Sequence, residues 1–377
     1  MIYKNCNGVA LSALGMGCMR LPQKSDNSAD IDEAALAEMV DLAISSGVNY
    51  FDTAWVYHHG KSEEFMGRAL SKYPRESFYL ATKFPGFSVD FWGRGKEIFE
   101  EQLCRCGVDY FDYYLIHNVS EGNIDAYLDT EKYGDVEYMI GEKKAGRIKH
   151  LGFSTHGTLA TMKRFLDKYA PEMEFCQIQL NYLDYKLQSA KEKIELVRSY
   201  GLGVWVMEPV RGGRLANLEP EYVAKLEALR PGVSGPEWAF RFLQSIPDVI
   251  VTLSGMSNME QLQQNIQTFS EEKLLTPEEW QALMEIADDM IAKKTLPCTA
   301  CRYCTPYCAQ GLDIPHLIAL YNAQMYPERA GEVKAEIAAM PEEQKPTACI
   351  GCQACESVCP QNIKISEMMT ELAKRTC

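Results

Sequence analysis

The sequence predicts a closed barrel of eight parallel strands surrounded by helices, followed by a small second domain rich in cysteine. Three observations support this prediction. From residue 12 to about residue 267, short apolar or aromatic runs alternate eight times with longer stretches whose apolar residues recur at helical spacing. No GxGxxG motif follows the first run, although an open, doubly wound sheet often carries one there. Beyond the eighth pair, prolines accumulate and two closely spaced cysteine runs appear.

The predicted strands are the short runs, which are rich in β-branched and aromatic residues. In chain order they read LGMGC, VNYFDTA, SFYLATKF, YFDYYLIHN, IKHLGFST, FCQIQLN, GVWVMEP and VIVTLSG. Several of the predicted helices end in glycine, which tolerates the left-handed turn that closes a helix. These helices read IDEAALAEMVDLAISSG, SEEFMGRALSKY, GKEIFEEQLCRCG, VEYMIGEKKAG, TLATMKRFLDKY, SAKEKIELVRSYG, GPEWAFRFLQSI and NMEQLQQNIQ.

One more helix, TPEEWQALMEIADDMIAKKT, follows the eighth pair, with Thr276 as its N-cap and Pro277 in its first turn. It leads into the cysteine region, so we expect a first domain over residues 1–295 and a second over residues 296–377. The length of 377 residues suits a domain of about 250 to 300 residues plus a small one. Within the second domain, IPHLIALYNAQMY and GEVKAEIAAM are predicted to be helices between the cysteine runs.

The composition limits the classes of function. With 38 basic and 52 acidic residues, the net charge is -14, which argues against binding to nucleic acid or to an anionic membrane. No apolar run approaches the ~20 residues that span a bilayer, and no secretory leader is evident, so we expect a cytoplasmic protein. Eight of the fourteen cysteines fall in two CxxCxxCxxxC runs, which suits metal ligation in a reducing compartment. The other six are predicted to be ordinary thiols: Cys6, Cys18, Cys104, Cys106, Cys176 and Cys377.

Polar residues follow three of the predicted strands, at the end of the barrel where enzymes of this shape carry their chemistry. Asp52 ends the second strand with Tyr57 five residues on, Lys83 ends the third strand and His117 ends the fourth. Each residue alone has an ordinary explanation as a helix cap, a surface group or a structural histidine. Together they make chemical sense, because an ammonium lowers the pKa of a nearby phenol, a carboxylate holds the ammonium, and an imidazole orients a carbonyl.

These residues and their surroundings resemble the aldo-keto reductase superfamily over roughly residues 10 to 270. The resemblance implies that Tyr57 is the general acid and that Lys83 lowers its pKa. It implies further that Asp52 is the partner of Lys83 and that His117 orients the carbonyl of a small carbonyl or alcohol substrate. The matching stretches are LGMGCMRLP, NYFDTAWVYHHGKSEEFMGRAL, LATKFP, DYYLIHN, GRIKHLGFST, CQIQLNY and VTLSGMSNMEQLQQN.

The same resemblance implies that NADP(H) or NAD(H) binds in an extended form across the barrel mouth. Ser154 and Gln177 match positions that hold the nicotinamide carboxamide. Met207 stands where a tyrosine usually stacks on the nicotinamide, and a thioether packs against a ring without offering an aromatic face. The full set of expected cofactor contacts is Ser154, Gln177, Met207, Pro209, Arg214, Gln261, Gln264 and Asn265.

The choice between NADP and NAD stays open. Gly255 and Gln261 stand where many members carry a lysine and an arginine for the 2′-phosphate. Arg211 and Arg214, in VRGGRLAN, could supply charge to the phosphates instead, or could belong to a solvated loop. Aromatic and histidine side chains near the mouth are candidate pocket residues, with packing or surface roles as the alternative: Trp55, His58, His59 and Trp92.

The two cysteine runs predict two 4Fe-4S clusters, with zinc as the less favoured alternative. The second run, CIGCQACESVCP, matches the bacterial ferredoxin pattern in full, whereas the first, CTACRYCTPYC, has Ala309 where a proline usually follows. Because the fourth cysteine of each run ligates the other cluster in two-cluster ferredoxins, we expect a crossed arrangement. One cluster would then use Cys298, Cys301, Cys304 and Cys359, and the other Cys349, Cys352, Cys355 and Cys308.

A barrel of this type with such a tail resembles a branch of aldo-keto reductases that carry a C-terminal ferredoxin-like domain. Three interpretations remain open. The clusters exchange electrons with a partner protein or a second acceptor, or they only stabilise the fold, or the chain is an electron carrier whose barrel is inactive. A nicotinamide passes two electrons at once and each cluster passes one, so direct coupling needs a converter such as a flavin, although no sequence feature demands one. Substrate, direction and oligomeric state are not predicted.

Overall fold

The computed structural model describes residues 1–25, 27–293, 295–324 and 329–376. Eight parallel strands close into a barrel in the order β10-β3-β4-β5-β6-β7-β8-β9, which confirms the predicted (β/α)8 fold. All eight predicted strands occur. The barrel strands are β3 (Leu14–Gly17), β4 (Tyr50–Asp52), β5 (Tyr79–Phe84), β6 (Phe111–Val119), β7 (Ile148–Thr155), β8 (Phe175–Gln179), β9 (Gly203–Met207) and β10 (Val249–Ser254).

Helices surround the barrel and pack their apolar faces onto it. The ninth of the predicted helices, α12, begins with Thr276 as its N-cap and carries a capping box with Glu279. The helices of the first domain are α1 (Glu33–Ser45), α2 (Ser62–Leu70), α3 (Gly95–Cys106), α4 (Ile124–Leu128), α5 (Asp135–Lys144), α6 (Leu159–Tyr169), α7 (Asp184–Leu187), α8 (Ala190–Ser199), α9 (Pro220–Leu229), α10 (Gly235–Gln244), α11 (Met259–Thr268) and α12 (Pro277–Ala292).

Aromatic side chains fill the lower part of the barrel interior. The ring centroids of Phe175 and Trp205 are 4.5 Å apart, and those of Tyr50 and Tyr113 are 5.1 Å apart. All four side chains are buried. The barrel centre is therefore a packed core, and open space is left at the C-terminal ends of the strands.

The N-terminal end of the barrel is closed by an antiparallel hairpin that the sequence did not predict, β1 (Tyr3–Cys6) and β2 (Val9–Ser12). Leu11 from this hairpin is buried in the same aromatic cluster. The four-residue strands carry too few residues for a clear alternation of apolar and polar side chains. The sequence did not predict helix α9 either, because most of its side chains are exposed and only Tyr222 and Leu226 are buried.

The second domain has its own small core, built from helices that wrap around the cysteine runs. Its helices are α13 (Ile314–Ala323), α14 (Ala330–Ala339), α15 (Ala354–Ser357) and α16 (Ile365–Thr376). The predicted helix IPHLIALYNAQMY corresponds to α13, but its last two residues, Met325 and Tyr326, lie outside the described residues. Cys377 lies outside them as well. None of the helices described here is long and apolar enough to cross a membrane.

Candidate active site

The four predicted catalytic side chains meet at the C-terminal end of the barrel. Asp52 ends β4, and Lys83 and His117 lie towards the ends of β5 and β6. Lys83 Nζ donates hydrogen bonds to Asp52 Oδ1 and to the backbone oxygen of Thr53, both at 2.6 Å. The same Nζ lies 4.9 Å from the ring centroid of Tyr57. The rings of Tyr57 and His117 are 6.2 Å apart in an edge-to-face arrangement, so the set forms one compact site.

Burial decides the protonation states of this set. It raises the pKa of Tyr57 well above its ordinary value, Asp52 adds to the rise, and a hydrogen bond with Tyr303 opposes it. Because burial and then the charge of Asp52 raise this pKa, Tyr57 keeps its proton near neutral pH, as a general acid must. Burial, followed by the charge of Lys83, lowers the pKa of His117 well below its ordinary value. The neutral imidazole can still donate a hydrogen bond to a carbonyl oxygen.

A cavity of about 980 Å³ opens beside Tyr57. Of the candidate pocket residues, Trp55, His58 and His59 line it, whereas Trp92 packs against Tyr127 with ring centroids 4.7 Å apart. The second domain forms the other side of the cavity. The lining residues it contributes include Cys301, Arg302, Tyr303, Cys359 and Pro360.

A second cavity, of about 310 Å³, runs from Tyr57 and His117 across the barrel mouth, and we call it the groove. Arg214 lies outside the lining of the groove, and its Nη1 donates to Thr295 Oγ1 at 3.1 Å. Arg211 is buried and bonded to Asp184 at 3.0 Å, so neither arginine is a free cation in the groove. Seven of the eight expected cofactor contacts line it: Ser154, Gln177, Met207, Pro209, Gln261, Gln264 and Asn265.

The inner end of the groove contains an unsatisfied amide. Gln177 Oε1 is buried and has no hydrogen-bond partner, while its Nε2 lies 3.8 Å from Met207 Sδ. Leaving a buried acceptor unpaired is costly, so such a group is expected to meet a donor from a ligand. The NH₂ of a nicotinamide carboxamide is a suitable donor. The residues present therefore fit a nicotinamide ring next to Tyr57 and His117.

Arg20 occupies the space next to Gly255, one of the positions where many family members carry a cation. A Cβ added to Gly255 would lie 3.0 Å from Arg20 Cβ. Arg20 Nη2 donates to the backbone oxygens of Thr299 at 3.0 Å and Ala300 at 3.3 Å. Among the described residues that line the groove, Arg20 is the one lysine or arginine. Sequence reasoning missed it, because it lies far from the motif that usually supplies this charge.

The eight cysteines of the two runs form two groups, and each group takes its fourth member from the other run. In the first, the inner group, the thiols interact electrostatically with one another; its members are Cys298, Cys301, Cys304 and Cys359. The second, the outer group, lines a small cavity; its members are Cys308, Cys349, Cys352 and Cys355. This is the crossed arrangement expected for two clusters.

Each group offers the donor set that an iron-sulfur cluster needs. A 4Fe-4S cluster takes four thiolates, one from each of four cysteines. Burial raises the pKa of Cys301 to about 12 and that of Cys355 to about 11. Ligation would therefore be coupled to release of these protons.

The two runs repeat the same backbone turns. Ala300 and Arg302 in the first run have φ of 50° and 62°, and Gly351 and Gln353 at the matching positions have φ of 67° and 61°. These left-handed residues let the chain curl tightly between cysteines.

The missing proline leaves the turn after the fourth cysteine unchanged. The backbone oxygen of Cys308 accepts from Gly311 N at 3.0 Å, and that of Cys359 accepts from Asn362 N at 3.1 Å. Both cysteines therefore open the same turn, with Ala309 in one run and Pro360 in the other.

A family model described as the aldo/keto reductase family matches residues 13–288, which is most of the chain. The chain belongs to this family. A second model, described as a 4Fe-4S dicluster domain, matches residues 297–363 of the reductase. The second domain is thus an iron-sulfur domain, as predicted.

Known relatives cover the barrel of the reductase. An uncharacterised oxidoreductase, YqkF of Bacillus subtilis, is 26% identical over 303 residues, which cover 72% of this chain and 92% of the relative. The NADH-specific methylglyoxal reductase of Escherichia coli is 25% identical over 305 residues, covering 68% of this chain and 90% of the relative. The solved holo form of aldo-keto reductase AKR11C1 from Bacillus halodurans superposes with a TM-score of 0.60 and 26% identity, covering 76% of this chain and 96% of that one.

The iron-sulfur domain of the reductase contacts the barrel at the active site. Gln361 Nε2 donates to Gln179 Oε1 at 2.9 Å, and Gln188 Nε2 donates to Gln361 Oε1 at 2.5 Å. Tyr303 stacks on Phe87 with ring centroids 6.4 Å apart and an interplanar angle of 18°. The domain is therefore part of the pocket wall.

Sequence reasoning missed two further residues at the site, His156 and Tyr303. His156 lines both cavities, its Nδ1 is buried without a partner, and burial lowers its pKa to about 4. Its position just after the strand that carries Ser154 was the available signal. For Tyr303, the signal was a large aromatic residue between cysteines, where the second run has Ala354.

Proposed function

We propose that the reductase uses a nicotinamide dinucleotide to interconvert a small carbonyl compound and its alcohol. The observation that carries this proposal is the buried pair of Lys83 and Asp52, placed against Tyr57 and facing His117 at the inner end of the groove. The name of the Escherichia coli relative, a methylglyoxal reductase specific for NADH, supports the same class of reaction.

The residues of the chain supply binding and proton transfer. A bound nicotinamide supplies the hydride. Tyr57 donates its proton to the carbonyl oxygen as negative charge develops there, and Lys83 stabilises the resulting phenolate. Asp52 keeps Lys83 charged and aimed, and neutral His117 orients the carbonyl by a hydrogen bond. In the direction of alcohol oxidation, the same phenolate of Tyr57 accepts the proton.

Gln177 and Ser154 would hold the carboxamide, with Met207 packed against the ring. The outer contacts would come from Gln264 and Asn265, near the adenine. Asn265 Nδ2 now donates to Ser254 Oγ at 3.0 Å, so the rim of the groove is already ordered.

We propose in addition that the inner and outer cysteine groups each hold a 4Fe-4S cluster and exchange electrons with a redox partner or another acceptor. The crossed grouping of the thiols supports two clusters. When bound, such clusters supply one-electron transfer. We propose a domain boundary near residue 296, which fits the end of α12 at Ala292.

The same protein and its variants test two other functions. Clusters that only stabilise the fold would leave turnover normal in any folded variant. An electron carrier with an inactive barrel would bind no nicotinamide. The assembled set of Asp52, Tyr57, Lys83 and His117 favours the enzyme over the electron carrier.

The decisive experiment uses the full chain, purified without oxygen and assayed for iron, sulfide and flavin. Tyr57→Phe is expected to lower the kcat of carbonyl reduction about 10²- to 10⁴-fold, the usual contribution of a general acid. Fluorescence quenching of NADH and NADPH on binding, and the iron content, should be unchanged. Tyr3→Phe, which alters an exposed tyrosine at the opposite end of the barrel, is the control. Unchanged turnover in Tyr57→Phe would overturn the assignment.

A further inference from the structure

His58 follows Tyr57 directly in the chain but binds a loop that precedes it by some thirty residues. This loop, which we call the entry loop, joins β3 to α1, and its described residues are 18–25 and 27–32. The entry loop forms much of one wall of the 980 Å³ cavity beside Tyr57. Its lining residues are Met19, Arg20, Leu21, Gln23, Lys24, Ser25 and Ser28.

The imidazole of His58 binds both limbs of the entry loop. On one limb, Leu21 N donates to His58 Nε2 at 3.0 Å. On the other limb, His58 Nδ1 lies 2.6 Å from the backbone oxygen of Ser28. The side chain of His58 is only 4% exposed, so water competes little for these two bonds. One ring therefore holds the two limbs together from below.

These two partners fix the position of the hydrogen on the ring. A backbone N–H can only donate, and a backbone oxygen can only accept. Nε2 is therefore the unprotonated nitrogen, and Nδ1 carries the hydrogen that it donates to Ser28. Burial lowers the pKa of His58, which favours this neutral form. A lysine or an arginine could not make both bonds, because neither side chain has an acceptor.

His58 is also joined closely to Tyr57. Both belong to the turn Tyr57–Gly60, which is anchored to the preceding loop because Tyr57 N donates to the backbone oxygen of Ala54 at 3.1 Å. His58 has φ of 53°, a left-handed conformation that is uncommon for residues with a side chain and that concentrates at functional sites. The entry loop is thus held at a defined place relative to Tyr57.

We propose that His58 is a positioning residue that latches the entry loop to the turn carrying Tyr57 and thereby sets the wall of the substrate cavity. This inference rests on the proposed function, because it assumes that the carbonyl compound occupies this cavity. With the latch intact, the wall is ordered before the substrate arrives, so binding does not have to order it. His58 acts on substrate binding, whereas proton transfer remains with Tyr57.

Two variants each keep one half of the latch. His58→Gln keeps an acceptor for Leu21 N and loses the donor to Ser28, whereas His58→Asn keeps a donor for Ser28 and loses the acceptor. His58→Ala loses both. We expect the KM for 4-nitrobenzaldehyde to rise about threefold in each half variant and about tenfold in His58→Ala, the effects of one and two hydrogen bonds. The kcat and the iron content should change less than about twofold, because the groups that transfer the proton are untouched.

Methylglyoxal is the second probe, and its KM should rise less, because a three-carbon compound has few atoms to contact the wall. A fall in kcat at unchanged KM would show that His58 acts on Tyr57 and not on the wall. Unchanged kinetics in His58→Ala would show that the wall needs no latch. Either result would overturn the proposal.

Hydrogen exchange separates failure of this inference from failure of the proposed function, since it needs no substrate. His58 protects the amide of Leu21. Mass spectrometry of peptides containing Leu21, from the full chain with its iron in place, should show faster exchange in His58→Asn and His58→Ala than in the parent. His58→Gln, which keeps the acceptor, and the control Tyr3→Phe should both resemble the parent.

The two failures then differ. Unchanged exchange in His58→Ala would contradict the latch even if the enzyme reduces a carbonyl compound. Faster exchange in that variant, with no reduction of either probe by the parent, would count against the proposed function alone.

Discussion

The inner and outer cysteine groups have the same spacing and the same turns, but their surroundings differ. The inner group lies against the barrel, and Cys301 lines both cavities of the active site. The outer group has one edge in solvent: Cys352 is exposed and the neighbouring side chain of Ile350 is 64% exposed, whereas Cys355 is buried. Spacing therefore fixes which residues can bind a cluster, whereas the packing around each run decides what that cluster can influence.

This difference assigns separate tasks to the two groups. The inner group shapes the reductase site through Tyr303 and through the contacts of Arg20. Among the described residues, the outer group makes no such contact with Asp52, Tyr57, Lys83 or His117, and we propose that an external acceptor approaches the domain there. Variants that alter one group and leave the other unchanged test this division.

The largest expected effect comes from replacing a cysteine of the inner group. A cysteine of the outer group is replaced for comparison. Cys301→Ser should lower kcat/KM for carbonyl reduction about 100-fold, because a site residue displaced by about 1 Å can cost that much. Cys352→Ser should keep carbonyl reduction within about threefold of the parent, since its surroundings are remote from Tyr57, and should instead slow electron exchange with an added acceptor.

Steady-state kinetics with NADH and NADPH, together with iron analysis of each variant, check this prediction. Equal losses of carbonyl reduction in the two variants would show that the domain acts only as one structural unit. Normal carbonyl reduction by Cys301→Ser would show that the inner group does not influence the reductase site.

The next effect concerns the point where the barrel meets the inner run. Gly212 has φ of 65°, and a Cβ added there would lie 2.0 Å from the backbone oxygen of Thr299. Gly213 has φ of 100° but no atom within 4 Å of an added Cβ. Gly212→Ala should therefore weaken nicotinamide binding about tenfold or more by displacing the inner run, whereas Gly213→Ala adds backbone strain alone.

Titration of NADH fluorescence gives the binding constants, and the iron content shows whether the inner group still holds its cluster. Equal effects of the two alanines would mean that strain in the loop, and not contact with Thr299, explains the loss.

About half of this arrangement was accessible from the sequence. The eight strands follow from the hydrophobic period along the chain, whereas the four catalytic residues and the cysteine grouping were predicted from motifs that resemble known families. Tyr303, Arg20 and His156 were not predicted as site residues, since their roles depend on contacts between segments far apart in the sequence. The hairpin β1–β2 was not predicted, because its four-residue strands are too short to show a clear alternation of apolar and polar side chains.

A smaller effect is expected on the stability of the fold at low pH. It should arise at His156, which lines both cavities of the active site. The pKa of His156 is lowered to about 4 by burial, so between pH 6.5 and pH 4 the unfolded chain binds a proton that the folded chain does not. Stability should thus be constant above pH 6.5 and should fall as the pH drops, by at most about 3 kcal/mol from this residue. His117 acts in the same direction.

Melting temperatures between pH 7.5 and pH 5.5 test this dependence. His156→Gln should flatten it. The same slope in His156→Gln as in the parent would remove His156 as the cause.

The central claim is that the inner cysteine group, and not the outer one, is part of the reductase site. The most direct test is electron paramagnetic resonance of the reduced protein with and without bound nicotinamide dinucleotide, using Cys301→Ser and Cys352→Ser to assign the two cluster signals. Binding should change the signal that Cys301→Ser removes and leave the other unchanged. A change confined to the signal that Cys352→Ser removes, or no change in either, would contradict the claim.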